Sequence, residues 1–223
     1  MIYAKVSEIF DSFQGEGLFV GQKHIFVRFY GCNLRCSYCD ESTKKWKKMS
    51  VFNVVEKIKS LLNKTDVISF TGGEPLLYSD FISNVIKDLG LNHRYLLETN
   101  ATLPQSFIRI RKMIDIISAD IKLPQYCGKA LWDEHISFLN LSKGKTLYVK
   151  LVFDLDVSLS DFRTAVDCVS KVDRKIPFFI QPDSRLIIDK RIVKLIEKLY
   201  NIAYEKLFDI RFLPQIHKIF GFR

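Results

Sequence analysis

Short apolar runs rich in β-branched and aromatic residues recur along the chain, at 25–30, 67–70, 95–98, 116–121, 147–153, 178–181 and 210–213. Runs of this length between turn residues predict buried strands. Between most of them, apolar residues return at intervals of three and four, which predicts helices over 51–62, 80–89, 104–113, 131–139, 160–172 and 189–200. Ser79 is the expected N-cap of the second helix and Gly90 its stop. Strands that alternate with helices imply parallel pairing through right-handed crossovers.

Such a sheet can stay open and doubly wound, or curl into a barrel. No G-x-G-x-x-G joins a strand to a helix, so the dinucleotide fingerprint is absent. Polar residues instead gather at the C-terminal ends of the strands: Cys32 onward, Thr71-Gly72-Gly73-Glu74, Glu98-Thr99-Asn100, Asp120 with Lys122, and Gln181-Pro182. Barrel enzymes build their sites at that rim. About six units are too few for a complete eightfold barrel. The expected fold is α/β, a partial, open TIM-like barrel, with residues 1–223 as a single domain.

The 223 residues suffice for a full core, and 48% hydrophobic against 26% charged residues fits a globular enzyme. No apolar run is long enough for a membrane span, and the N-terminus lacks the pattern of a secretory signal. A cytoplasmic protein is expected. The net charge is +9, but Lys and Arg are spread out, and the one dense run is Lys44-Lys45-Trp46-Lys47-Lys48. Without a nucleic-acid motif beside it, that run reads as a solvated loop in preference to a nucleic-acid patch.

Three of the five cysteines fall within eight residues, in Gly31-Cys32-Asn33-Leu34-Arg35-Cys36-Ser37-Tyr38-Cys39-Asp40. In a reducing compartment such clustering means metal or redox chemistry more often than disulfides. Zinc would want a fourth ligand, from Asp40 or a histidine. A four-iron cluster held by three thiolates would keep one iron open to a small molecule. Spacing alone leaves both possible. Cys168 reads as a core residue, and Cys127, beside Gly128, could approach the site.

With Tyr38 in the aromatic place before Cys39, the C-x3-C-x-aromatic-C spacing resembles the radical S-adenosylmethionine (radical SAM) enzymes. Thr71-Gly72-Gly73-Glu74-Pro75 resembles the same superfamily's segment that holds the methionine amino group. At the N-terminus, Phe13-Gln14-Gly15-Glu16-Gly17 followed by Phe26-Val27-Arg28 is similar to the 7-carboxy-7-deazaguanine synthase family. So is Pro214-Gln215-Ile216-His217-Lys218 near the C-terminus. This resemblance spans essentially the whole chain.

The resemblance implies a [4Fe-4S] cluster on Cys32, Cys36 and Cys39, whose open iron chelates S-adenosylmethionine and generates a 5′-deoxyadenosyl radical. It implies conversion of 6-carboxy-5,6,7,8-tetrahydropterin to 7-carboxy-7-deazaguanine with loss of ammonia, in deazapurine (queuosine-type) biosynthesis. The implied cofactor-binding residues are Tyr38, Asp40, Gly72, Gly73, Glu74, Asp120, Ile121, Lys122, Gln181, Pro182, Asp183 and Ser184, with Glu98 and Asn100 as weaker candidates. The implied substrate contacts are Phe13, Gln14, Gly15, Glu16, Arg28, Thr71, His217 and Arg223. His217 is also the candidate acid–base group.

The side chains suit a pterin. Gln14 offers a donor and an acceptor, Glu16 accepts from ring N–H and amino groups, and Arg28 can fork onto a carboxylate. The implied partners are the small pterin, an electron donor such as flavodoxin or ferredoxin, and a second copy of the chain. No direct nucleic-acid or membrane contact is expected.

Two positions depart from the family pattern. Glu41 stands where a threonine helps to place Mg2+, and a hard carboxylate there can still ligate magnesium. Ala101 stands where glycine is usual. The competing readings are a glycyl-radical-activating enzyme, which has less need of the terminal motifs, and a zinc-stabilised RNA-binding protein, which rests on charge and thiols alone.

Overall fold

Alternation with period two sorts each strand's residues onto two faces of one sheet. The computed structural model describes residues 2–39, 45–63, 65–186 and 189–222. Its strands are β1 (Tyr3–Phe13), β2 (Lys23–Phe29), β3 (Lys47–Ser50), β4 (Val67–Gly72), β5 (Arg94–Thr99), β6 (Ile116–Asp120), β7 (Thr146–Phe153), β8 (Phe178–Pro182) and β9 (Ile210–Phe212). They form a single sheet in the order β3-β1-β2-β4-β5-β6-β7-β8-β9. From β2 through β9 neighbouring strands pair in parallel, while β1 pairs antiparallel with both β2 and β3. The sheet does not close on itself, so β3 and β9 are its edges. It is the partial barrel that the strand rhythm implies.

The helices are α1 (Val51–Lys59), α2 (Ser79–Leu89), α3 (Pro104–Ile110), α4 (Pro124–Cys127), α5 (Trp132–Leu141), α6 (Leu159–Val172), α7 (Arg191–Tyr204) and α8 (Ile216–Phe220). The main core joins α1 to α7 to outward-facing strand residues such as Val27, Phe70, Leu97, Ile117, Leu151 and Phe178. Arg28, Thr71, Glu98, Ser118, Asp120 and Lys150 lie on the opposite, concave face, and in register they are near neighbours: Arg28 opposite Thr71, Glu98 opposite Ser118, Asp120 opposite Lys150.

A second apolar cluster closes the bottom of the curled sheet. Val67, Leu96, Ile116, Tyr148 and Phe179 pack there with Leu18, Phe19 and Leu213. Leu18 and Phe19 come from a short 3-10 turn, Gly17–Phe19, between β1 and β2. Gly17 has φ +65°, and a Cβ there would lie 2.1 Å from the Tyr148 ring. Glycine is needed for both the backbone conformation and the close approach.

The apolar runs do not reveal β1 or β3. β1 carries Lys5, Ser7, Asp11 and Ser12 and has a register shift between Val6 and Glu8, while β3 is Lys-Lys-Met-Ser. Their pairing to β2 and to each other outweighs their composition. Ser79 is also not a cap: a 3-10 turn, Pro75–Tyr78, runs directly into α2 and makes Ser79 its first residue. Gly90 does end α2, its N–H donating to the Ile86 carbonyl at 2.9 Å.

Gly17→Ala should lose about 1–3 kcal/mol of stability by overpacking against Tyr148, measured by urea unfolding; unchanged stability would mean that the turn does not plug the barrel as described.

Candidate active site

The concave face opens at the strands' C-terminal ends into a cavity of about 770 Å³, within the usual size range for ligand sites. Its first wall is the cysteine loop that follows β2. Gly73 rests backbone to backbone on that loop: a Cβ there would lie 2.1 Å from the Gly31 carbonyl oxygen. Two hydrogen bonds lock the contact, Gly73 N–H to Phe29 O at 3.0 Å and Glu74 N–H to Gly31 O at 2.8 Å. The paired glycines therefore bring the end of β4 against the thiol loop, and both line the cavity.

Cys32, Cys36, Cys39 and Tyr38 line the same wall. Cys32 and Cys39 are exposed, Cys36 is half-buried, and all three are free thiols. Cys32 Sγ accepts from the Leu34 N–H at 3.4 Å and from Asn100 Nδ2 at 3.5 Å. The Asn100 amide is held by Asn33 at 2.9 Å and Thr102 at 2.6 Å. The turn that presents Asn100 places Ala101 at φ +56°, which explains why glycine suits that position. Burial pushes the Cys36 thiol up to about 12, against the pull of the Lys122 ammonium. Among the described residues no group of three or more His, Cys, Asp or Glu side chains converges as a site for one metal ion. Three thiols on one loop, with N–H donors on a sulfur, would suit holding an iron–sulfur cluster.

Beside this wall, Lys122 Nζ lies 2.8 Å from Asp120 Oδ2 and 3.2 Å from the Tyr38 hydroxyl. Asp120, Lys122, Asp183 and Ser184 all face the cavity.

The far end is built around Glu16. Its carboxylate is buried against Lys150 Nζ, and its other oxygen accepts from Gln215 Nε2 at 2.6 Å. Burial alone would raise the Glu16 carboxyl, but the Lys150 ammonium, His217 and the hydrogen bonds from Lys150 and Gln215 outweigh it and hold the pKa at about 2. Lys150 is itself held charged against burial by Glu16, Glu98 and Asp120. Gln14 donates to Glu98 Oε1 at 2.7 Å, and Thr71 donates to Glu98 Oε2 at 2.6 Å. Arg28 pairs with Glu8 at 3.0 Å and stacks over Phe10.

The C-terminal segment straps this end shut. Ile216 N–H donates to the Gly15 carbonyl at 3.1 Å, and Phe222 lies against Phe13 with ring centroids 5.4 Å apart. His217 sits on Gly15, where a Cβ would come within 2.2 Å of Nδ1. Burial lowers the His217 pKa despite the Glu16 carboxylate.

Four nominated residues do not reach the cavity. Glu74 is fully buried and ties the turn together, accepting from Leu76 N–H at 2.9 Å, Thr99 Oγ1 at 2.8 Å and Asn100 N–H at 2.8 Å. Ile121 belongs to the main core. Gln181 and Pro182 are buried in β8, and the Gln181 amide has no hydrogen-bond partner among the described residues. Phe13, Gln14, Gly15, Glu16, Arg28, Thr71 and His217 all line it. Asp40, Glu41 and Arg223 lie outside the described residues. Lys150, Glu8, Ser118 and Lys218 also line it without having been nominated. For Lys150 a signal existed: it is the single charge in the otherwise apolar strand segment Leu-Tyr-Val-Lys-Leu-Val-Phe.

Residues 26–137 match the family model of the Radical SAM superfamily. The 7-carboxy-7-deazaguanine synthase of Methanothermobacter thermautotrophicus is 33% identical to this chain over 100% of its length and 99% of the relative's. The chain belongs to the 7-carboxy-7-deazaguanine synthase family of radical SAM enzymes. The family member of Geobacter sulfurreducens is 30% identical over 98% of this chain and 97% of its own. In fold, the chain is similar to the crystal structure of QueE from Escherichia coli, with a TM-score of 0.63 and 18% identity over 95% of both chains. It is also similar to Streptococcus suis SuiB bound to S-adenosylmethionine, with a TM-score of 0.59 and 17% identity over 85% of this chain and 46% of that one. Radical SAM membership implies an iron–sulfur cluster and S-adenosylmethionine, and the thiol wall fits the former.

Lys150→Met should cost about 3–5 kcal/mol at neutral pH, because it leaves the Glu16 carboxylate buried and unpaired. Adding Glu16→Gln should recover part of the loss. In the unaltered protein the stability contributed by Glu16 is complete above its ordinary pKa of 4.5 and is lost as pH falls toward about 2. Urea midpoints between pH 3 and 7 check both; a Lys150→Met loss below 1 kcal/mol would contradict the pairing.

Proposed function

We propose that the protein converts 6-carboxy-5,6,7,8-tetrahydropterin to 7-carboxy-7-deazaguanine and ammonia. The observation that carries this reading is that one cavity joins three free thiols at one end to a pre-ionised carboxylate among hydrogen-bonding groups at the other. Family membership supports it.

Cys32, Cys36 and Cys39 would hold the cluster. When bound, the cluster and S-adenosylmethionine supply the one-electron chemistry that starts the ring contraction. Tyr38, Gly72, Gly73, Asp120, Lys122, Asp183 and Ser184 would line the cofactor. The Lys122 ammonium fixes Asp120 as an acceptor for ribose hydroxyls.

Glu16 would take the aminopyrimidine edge of the pterin. Lys150 and Gln215 occupy part of its lone-pair capacity and leave room for a ring N–H and the amino group. Glu98 is oriented in the same way by Gln14 and Thr71. Arg28 would meet the substrate carboxylate, and His217, kept neutral by burial, can pass a proton at a ring nitrogen. α8 and Phe222 cover this end and limit water.

The proposal extends to magnesium neutralising the substrate carboxylate with Glu41 as its ligand, to Asp40 and Arg223 as further contacts, to a homodimer in the cytoplasm, and to reduction by an external one-electron donor. Among the described residues no helix is long and apolar enough to cross a membrane.

Anaerobic turnover of the iron- and sulfide-reconstituted protein with dithionite, S-adenosylmethionine, magnesium and the tetrahydropterin, read by mass spectrometry, should give 7-carboxy-7-deazaguanine. Release of 5′-deoxyadenosine without that product would keep the radical chemistry and reject the substrate. Omitting magnesium, or substituting Glu41→Thr with magnesium present, tests the metal: the first should slow turnover and the second should retain it.

A further inference from the structure

The lysine-rich run after the cysteine loop is not part of the cavity just described. Trp46 packs on Tyr30, with ring centroids 5.8 Å apart. Tyr30 is held in turn by Lys5, whose carbonyl accepts its N–H at 2.9 Å, and by the Tyr78 hydroxyl, which donates to its carbonyl at 2.8 Å. Cys32 follows two residues later, within about 7 Å along the backbone. The run is therefore built onto the strand end that carries the first thiol.

Its surface has a distinct character. The Lys5 ammonium lies 4.7 Å from the centre of the Trp46 ring, and the Lys48 ammonium 4.6 Å from that of Tyr3. Tyr3 and Trp46 each remain 43% exposed. A shallow recess of about 330 Å³ lies between Tyr3, Lys5, Trp46, Lys48 and Tyr78. Among the described residues none of Lys5, Lys45, Lys47 and Lys48 is joined to a carboxylate, whereas Lys23, Lys59 and Lys206 elsewhere on the surface are. Uncompensated cations around exposed Trp and Tyr match the make-up of a binding hot spot for an acidic partner.

We propose that this face, Lys5, Trp46 and Lys48 on the β1/β3 edge, docks an acidic one-electron carrier protein beside the thiol loop. The inference rests on the proposed function, which requires an electron that the chain itself does not supply. One electron leaves the reduced carrier and enters the cluster; the carrier is oxidised by one electron, the cluster is reduced by one, and no atom is transferred. A second copy of this chain is the poorer occupant, because lysines on an edge strand oppose sheet-to-sheet pairing. A nucleic acid would match the charge but has no electron to give at the thiol loop.

The test uses the cluster-loaded protein and flavodoxin as the probe. A double variant, Lys5→Glu with Lys48→Glu, is compared with a control double on α7, Lys194→Glu with Lys198→Glu. Calorimetric affinity for oxidised flavodoxin and stopped-flow bleaching of the cluster by reduced flavodoxin should both fall at least tenfold in the first variant. Neither should fall in the control, and dithionite-driven turnover should match the unaltered protein in both. Reduction of the unaltered protein by flavodoxin should slow steeply between 50 and 500 mM salt, a readout that stands even if the variant folds poorly. Equal binding and bleaching in the patch variant, salt-independent reduction, or loss of tRNA binding with flavodoxin reduction intact would overturn the proposal. If the patch dependence holds and no deazapurine forms even with dithionite, the failure lies with the proposed substrate and not with the docking face.

Discussion

Burying a carboxylate is costly unless a partner cation comes with it, and the Glu16–Lys150 pair answers that constraint at the centre of the molecule. Glu16 belongs to the loop that plugs the open barrel and Lys150 to β7, so the pair fastens the plug to the sheet. Gln215 adds the C-terminal strap to the same carboxylate. Three segments distant in sequence thus share one charge. The loop cannot leave without unpairing Lys150, and the strap gains its hydrogen bond only when the loop is in place. The site's polarity is set before any ligand arrives, which is the condition for electrostatic preorganisation.

The cavity divides its work along the sheet. Motifs near the end of β2 and β4 supply thiols and a close backbone contact, while the concave faces of β5 to β7 supply carboxylates and ammonium groups in register. This division suits chemistry in which one ligand is activated at the cluster and another is held by hydrogen bonds a short distance away.

The fold was largely legible because parallel strands buried on both faces are continuous apolar runs. β1 and β3 escaped because edge and antiparallel strands carry polar residues on one side, and here lysines fill β3. Cavity-lining residues in contiguous motifs could be read directly: the cysteines, Gln14 to Glu16, and His217 in the tail. Glu8 could not, and Lys150 showed only as a lone charge in an apolar strand, because the register of the sheet and the curl of the barrel bring them to the cavity. The same contrast appears in reverse. Glu74, Ile121, Gln181 and Pro182 neighbour the right residues in sequence, but strand alternation and turn geometry point them into the protein.

In the proposed reaction Glu16, ionised by Lys150, holds the aminopyrimidine edge of the substrate. Equilibrium binding of the stable fluorescent analogue 6-carboxypterin to the unaltered protein and to Glu16→Gln tests it most directly, with S-adenosylmethionine binding measured in parallel. A hydrogen bond to a charged group contributes about 1.5–3 kcal/mol, so analogue affinity should fall roughly 10- to 150-fold while S-adenosylmethionine binding stays unchanged. Undiminished binding of the analogue, or an equal loss for both ligands, would contradict the claim.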